Sequence, residues 1–237
     1  MSSYRGDKRR NTNRQKTGRT KAGSWKSRGW KAVLRNKYAV SGVAVLLILT
    51  IVLSVRSCMA DRPYRVDVDA SEPELDVQLL DVNPYSRPGI QSDGISGVVI
   101  HYTANPGSSA QENRDYFNGL QYSQETQASS NFIVGLEGEI IQCVPTWEIA
   151  YASNERNSDT VSIEVCHPDE SGKFTESSYR SLVQLTAWLC VKFGLTEDDV
   201  IRHYDMTGKI CPKYFVDDEE AWEAFKENVK RAIEKTS

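Results

Sequence analysis

Residues 200–212, VIRHYDMTGKICP, concentrate side chains that could do chemistry. His203 is one of three histidines in the chain; Lys209 and Cys211 follow it within eight residues. Val200 and Ile201 run toward the histidine as at the end of a strand. Thr207 and Gly208 then mark a loop, and Pro212 prevents a helix from continuing through it. Such a loop can fold back so that His203 and Cys211 point at one place. Imidazole and thiolate are preferred zinc ligands. A third candidate, His101, ends a second apolar run, GVVIHYT at 97–103. Three protein ligands leave a fourth tetrahedral position open for water, the arrangement of catalytic zinc sites. The H-x7-C spacing is not that of a zinc finger. On the residues alone, two ordinary core-edge histidines and a buried small thiol remain an equal reading.

Two further side chains belong to the same argument. Glu164 alternates with Ile163 and Val165, so it faces away from the apolar side of its strand. Taken alone it reads as a solvent-facing glutamate. Near a metal and partly desolvated, it could accept a proton from water and pass it to a leaving amine. Lys209 is tethered two residues before Cys211, so its ammonium stays close and could stabilise developing negative charge. His167 beside Cys166 is a tempting second pair. Adjacent strand residues point to opposite faces, and the turn-like 168–172 follows, so no ligand role is assigned to it.

Resemblance joins these residues. IHYTA at 100–104, SIE at 162–164, and His203-x5-Lys209-x-Cys211-Pro212 resemble the motifs of zinc-dependent N-acetylmuramoyl-L-alanine amidases. That family shares its fold with peptidoglycan-recognition proteins and with phage lysozymes of the amidase type. The resemblance runs from about Asn83 to the C-terminus. It implies one Zn2+ per chain on His101, His203 and Cys211, with Glu164 and Lys209 as catalytic residues. It also implies peptidoglycan, or a muropeptide from it, as substrate. Two places depart from the family. Many relatives carry Tyr or His in the strand at Ser130-Asn131-Phe132, and a Trp-His or similar pair where Tyr151-Ala152-Ser153 falls. Neither is an assigned ligand, so these departures bear on substrate contacts. A non-catalytic peptidoglycan-binding module is the alternative, although such relatives generally lack the zinc cysteine. A closed structural metal site would need a fourth protein ligand, and none is evident.

The elements that must position these groups read as follows. The run at 98–102 is nearly all apolar, as expected for a central strand covered on both faces. Ser109 and Glu112 form a capping box, starting a helix whose buried face is expected to hold Asn113, Tyr116, Phe117 and Leu120. Strands at 131–134 and 139–144 flank GLEG at 135–138 as a hairpin. Residues 160–166 form another strand. Tyr179, Leu182, Val183, Thr186, Leu189, Cys190 and Phe193 recur at helical spacing before Gly194. A last helix carries Trp222, Phe225, Val229 and Ile233 behind an acidic start that suits a helix N-terminus. The fold class is therefore α/β, a mixed central sheet flanked by helices, over 81–237.

The 237 residues leave room for extensions, and the net charge of −3 hides an asymmetry. Residues 1–37 hold 13 Lys or Arg against one Asp, about +12, leaving about −15 on the rest. This basic segment has too few aliphatic residues for a core and is expected to be disordered. Residues 38–55 are uncharged and mostly apolar, just long enough to span a bilayer as a helix. The basic flank places the N-terminal side in the cytoplasm and the remainder outside. Topology and attraction to anionic lipid therefore explain the basic tail better than a nucleic-acid arm. An uncleaved anchor in the cell membrane is favoured over a signal peptide, since the apolar run exceeds the usual h-region. Residues 56–80, acidic and containing Pro63 and Pro73, read as an extracytoplasmic linker. Five scattered cysteines, Cys58, Cys143, Cys166, Cys190 and Cys211, do not form a disulfide framework. Cys143, Cys166 and Cys190 sit in apolar runs and read as buried small hydrophobes.

Overall fold

A computed structural model describes residues 44–45, 47–51, 64 and 66–236. The expected disordered tail at 1–37 lies outside the described residues, and so does most of the expected membrane span at 38–55. Residues 44–45 and 47–51 are helical with exposed side chains. Among the described residues, no helix is long and apolar enough to cross a membrane. The chain divides into two units, Met1–Asp61 and Arg62–Ser237, and the second carries everything below.

That unit is built on six strands: β1 (Asp76–Val77), β2 (Gly97–Tyr102), β3 (Phe132–Val134), β4 (Ile140–Gln142), β5 (Thr160–Val165) and β6 (Val200–Arg202). Five helices accompany them: α1 (Ala110–Ser123), α2 (Glu176–Phe193), α3 (His203–Thr207), α4 (Lys213–Asp217) and α5 (Glu219–Thr236). The strand order is β1-β4-β3-β5-β2-β6. Only β3 and β4 pair antiparallel, as the hairpin requires; the other ladders are parallel. The mixed α/β expectation holds.

β2 and β5 sit at the centre because their sequences, GVVIHY and TVSIEV, suit burial on both faces. Val98, Ile100, Val161, Ile163 and Val165 point to one face and join a core with Leu182, Leu185 and Leu189 of α2 and Trp222, Phe225 and Val229 of α5. On the opposite face, Ile133, Ile141, Cys143 and Cys166 pack beneath Ala110, Phe117 and Leu120 of α1. The apolar stripes read from sequence for α2 and α5 are thus core.

Local signals place the helix ends where the residues indicate. Ser109 Oγ accepts from the amide of Glu112 (3.2 Å), whose carboxylate accepts from the amide of Ser109 (2.8 Å). Gly194 ends α2 in the left-handed region at φ 68°. In the β3–β4 turn, Gly138 sits at φ 89°, and a Cβ there would come within 2.9 Å of the Ser177 carbonyl oxygen. Both the conformation and the close approach to α2 require glycine.

The expected linker differs. From Tyr64 onward, its described part is packed against the domain. The Tyr64 ring packs tilted against Tyr179, centroids 5.1 Å apart, and the Tyr64 carbonyl accepts from Asn228 Nδ2 at 2.7 Å. The Ala70 amide donates to Thr236 Oγ1 at 2.8 Å, β1 pairs with β4, and Leu80 is buried. The reason is in the sequence: Tyr64, Val66, Val68 and Ala70 alternate with charged residues. That period places one apolar edge of an extended chain against the α2–α5 core.

Candidate metal centre

Parallel register sets the first half of the site. His101 of β2 lies opposite Glu164 of β5, and Glu164 lies opposite Ile133 of β3. Alternation turns His101 and Glu164 to the α1 side, away from Ile100 and Ile163. β6 pairs with the other edge of β2 and ends at Arg202, so the next residue emerges beside the end of β2.

The second half is a tight loop. His203 opens α3, whose start is held by the Arg202 amide donating to Asp205 Oδ2 at 2.8 Å. Buried Arg202 also donates to the Phe215 carbonyl (2.7 Å) and pairs with Glu219 (2.7 Å). Gly208, at φ 74°, turns the chain back. The Tyr204 amide then donates to the Cys211 carbonyl at 2.9 Å, returning Cys211 to His203.

The three expected ligands converge. One donor atom from each of His101, His203 and Cys211 lies within 4.8 Å of the others. The imidazole centroids are 4.7 Å apart, and Cys211 Sγ is 3.8 Å from His101 Nδ1. Donors on one tetrahedral zinc stand about 3.4–3.7 Å apart, given the usual bond lengths, so small side-chain shifts suffice. All three residues are buried. Both ring nitrogens of His203 are buried without a hydrogen-bond partner. A buried polar atom without a partner is costly, and a metal would resolve that cost at one of the two nitrogens. The donor set, two imidazoles and one thiol, is chemically suited to zinc. These residues therefore fit the ion.

Electrostatics agree for the histidines. Burial, then His203, then Lys209 hold His101 well below its ordinary value. Burial and Lys209 also lower His203. Both are thus neutral, the form that offers a lone pair. Burial, reinforced by Glu164, pushes the Cys211 thiol up to about 12, against the opposing pull of the Tyr102 backbone amide and Lys209. Without a cation this thiol stays protonated; a divalent ion among the three donors reverses that balance. Burial raises Glu164 to about 8 despite Lys209. Its Oε2 is buried and unpartnered.

These groups share a cleft of about 580 Å³, lined by His101, Glu164, His203, Lys209 and Cys211 together with Tyr116, Phe117, Gln127, Tyr151 and Asn154. Sequence reasoning missed most of the second set. Tyr116 was expected on the buried face of α1, but it is 48% exposed on the cleft wall. The helical period marks a stripe, and residues at its margin can face either core or cleft. Ala104 and Asn154, both lining the cleft, have φ of 51°. Nothing in their local sequence announced that.

At the positions that depart from the family pattern, Ser130 is buried and donates to the Phe132 carbonyl (2.9 Å). Asn131 accepts from the Ser162 amide (2.9 Å) and donates to the Pro145 carbonyl (3.1 Å), tying β3 to β5. Ala152 presents only a methyl group to the cleft. His167 stands apart: it stacks at 5.1 Å on Tyr102, and its Nδ1 is 2.8 Å from the Asp169 carbonyl oxygen. Cys143, Cys166 and Cys190 are free and buried, with thiols pushed up to about 12 by burial, as expected of small hydrophobes.

Comparison with known proteins follows the same residues. Residues 91–214 match the family described as N-acetylmuramoyl-L-alanine amidase. The chain is 34% identical over 163 residues to the N-acetylmuramoyl-L-alanine amidase CwlL of Bacillus licheniformis, covering 64% of this chain and 45% of CwlL. It is 33% identical over 172 residues to the N-acetylmuramoyl-L-alanine amidase BlyA of Bacillus subtilis (strain 168), covering 64% and 45%. The matched region thus spans less than half the length of either relative. In shape the chain is similar to the catalytic domain of XlyA, with a TM-score of 0.57 and 22% identity over 66% of this chain and 99% of that one. It is also similar to PlyL, with a TM-score of 0.58 and 21% identity over 68% and 99%. These likenesses speak for the fold. The family match covers more than half of the sequence and encloses every residue of the converging cluster, and on that ground the chain belongs to the N-acetylmuramoyl-L-alanine amidase family.

Proposed function

We propose that this domain is a zinc-dependent peptidoglycan hydrolase. It would cleave the amide between the lactyl group of N-acetylmuramic acid and L-alanine of the stem peptide. One observation carries the reading: His101, His203 and Cys211 converge within 4.8 Å in a cleft that Glu164 and Lys209 also line. His101, His203 and Cys211 would hold one zinc ion. Zinc there would lower the pKa of water toward about 7 and polarise the scissile carbonyl.

The chain's own residues supply the rest. Glu164, with Oε2 unpartnered, would give up its proton once a divalent ion stands in the same cleft; as a carboxylate it takes a proton as general base and returns it to the leaving amine. Lys209, close enough to lower both histidines, stabilises charge developing on the carbonyl oxygen. Tyr116, Phe117 and Tyr151 give the cleft aromatic walls against which a glycopeptide can lie.

The same reading extends to the N-terminal region. The apolar stretch at 38–55 and the basic residues before it would anchor the chain in the cell membrane, N-terminus inside and the amidase domain outside.

The test is release of stem peptide from purified sacculi by the full chain, measured as new L-alanine amino termini. Zinc content is measured on the same sample. Turnover that falls with a chelator and returns with zinc is expected. A zinc-loaded chain that binds muropeptide without cleaving it would replace the hydrolase reading with a binding module.

A further inference from the structure

We infer that Ser153 is a positioning residue for His101: it fixes the ring so that Nδ1 faces the metal position. The inference rests on the metal reading above.

Ser153 Oγ lies 3.3 Å from His101 Nε2, and both residues are buried. The other ring nitrogen, Nδ1, is the one 3.8 Å from Cys211 Sγ. An imidazole that offers its Nδ1 lone pair to a metal carries its proton on Nε2. In a buried site that N–H needs an acceptor, and the Ser153 hydroxyl oxygen supplies one. Ligating histidines generally depend on such a partner for tautomer and orientation.

Ser153 belongs to none of the segments that carry ligands, so its position has its own supports. Asn157 Oδ1 accepts from the amides of both Ala152 (3.1 Å) and Ser153 (2.6 Å). One residue further back, Tyr151 and Ser129 exchange two hydrogen bonds, at 3.1 and 2.9 Å. Arg156 pairs with Asp159 at 2.8 Å and closes the turn. The backbone that carries the hydroxyl is therefore held from both sides.

His203 has no equivalent: both of its nitrogens are unpartnered. The site is thus asymmetric, with one braced imidazole on a central strand and one unbraced imidazole at the start of α3. The turn at 152–157 makes His101 the pre-oriented ligand.

The test is zinc affinity of the full chain by competition with a chromophoric chelator, in the wild type, Ser153→Ala and Ser153→Thr. Ser153→Ala is expected to weaken zinc about 10–100-fold. Ser153→Thr keeps the hydroxyl, so it should bind as the wild type does. Equal affinity in Ser153→Ala overturns the inference, as does equal weakening in both variants. A wild type that binds no zinc overturns the metal reading itself, which separates the two failures. Nitrogen-15 spectra of the zinc-loaded wild type can still overturn the assignment if Ser153→Ala does not fold. A His101 proton on Nε2 is expected, and one on Nδ1 overturns the assignment.

Discussion

The two faces of the β2–β5 pair come from the same twelve residues and have opposite characters. Toward α2 and α5 they present Val98, Ile100, Val161, Ile163 and Val165, all fully buried. Toward α1 they present buried Val99 and then His101, Ser162 and Glu164, and there the packing stops short and leaves the cleft. The first face supplies rigidity through apolar contact. The second uses that rigidity to hold polar groups at fixed separations in a partly dry place. A catalytic centre gains from this pairing, because pre-oriented groups need little reorganisation during reaction. The comparison also says which substitutions should affect chemistry and which should affect only stability.

The largest effect is expected from Cys211→Ser on the open face. A hydroxyl is a poor substitute for thiolate toward zinc, so most of the metal and essentially all turnover should be lost, measured as zinc per chain and release of stem peptide. Zinc retained in the double variant His101→Ala/Cys211→Ser would mean that other residues hold it. Next come Glu164→Gln and Lys209→Ala. Glu164→Gln should lower kcat about 10²–10⁴-fold and Lys209→Ala about 10²–10³-fold, with zinc and muropeptide binding kept. Wild-type kcat in Glu164→Gln would remove the proposed proton carrier.

Phe225→Ala tests the sealed face. Phe225 is fully buried against Tyr179, Phe215 and Trp222, so chemical denaturation should show a loss of about 3–5 kcal/mol. Zinc affinity of the folded fraction should not change. A matching loss of affinity would show that the two faces are not independent.

The smallest effect is a pH dependence confined to the open face. In the metal-free chain, Glu164 keeps its proton up to about 8, whereas the unfolded chain releases it near 4.5. Its contribution to stability is therefore complete below 4.5 and is lost as the pH rises to about 8. His101 and His203 are lowered from 6.5, so their contribution is complete above 6.5 and is lost on acidification. Between pH 6.5 and 8 only the Glu164 contribution is changing among these three, and the denaturation midpoint should fall. Glu164→Gln should flatten that fall; an unchanged slope would assign it to another group.

The legibility of these regions in the sequence differed for physical reasons. The capping box at Ser109, the glycine stop at Gly194 and the apolar stripes of α2 and α5 are local signals, and each lies where its residues indicate. The segment from Tyr64 to Leu80 was legible only in part. Its acids and prolines suggest a linker, while the alternation of Tyr64, Val66, Val68 and Ala70 carries the opposite message. The alternation prevails because burying that edge against α2 and α5 offsets the cost of ordering the chain.

By itself, the sequence determined which chemistry was available. His101, His203 and Cys211 offered soft or borderline metal donors at strand and loop ends, and Lys209 came tethered to Cys211. It also determined the alternation that separates His101 and Glu164 from their apolar neighbours, since that period is a property of the extended backbone. Tertiary structure alone decided what those groups meet. Strand order places β5 and β6 on either side of β2, bringing together residues as much as 110 positions apart. The same packing places Tyr116 on the cleft wall and seats Ser153 behind His101, from a turn whose sequence carries no sign of the contact. Long-range register is set by burial summed over the whole sheet, so no local stretch of sequence contains it.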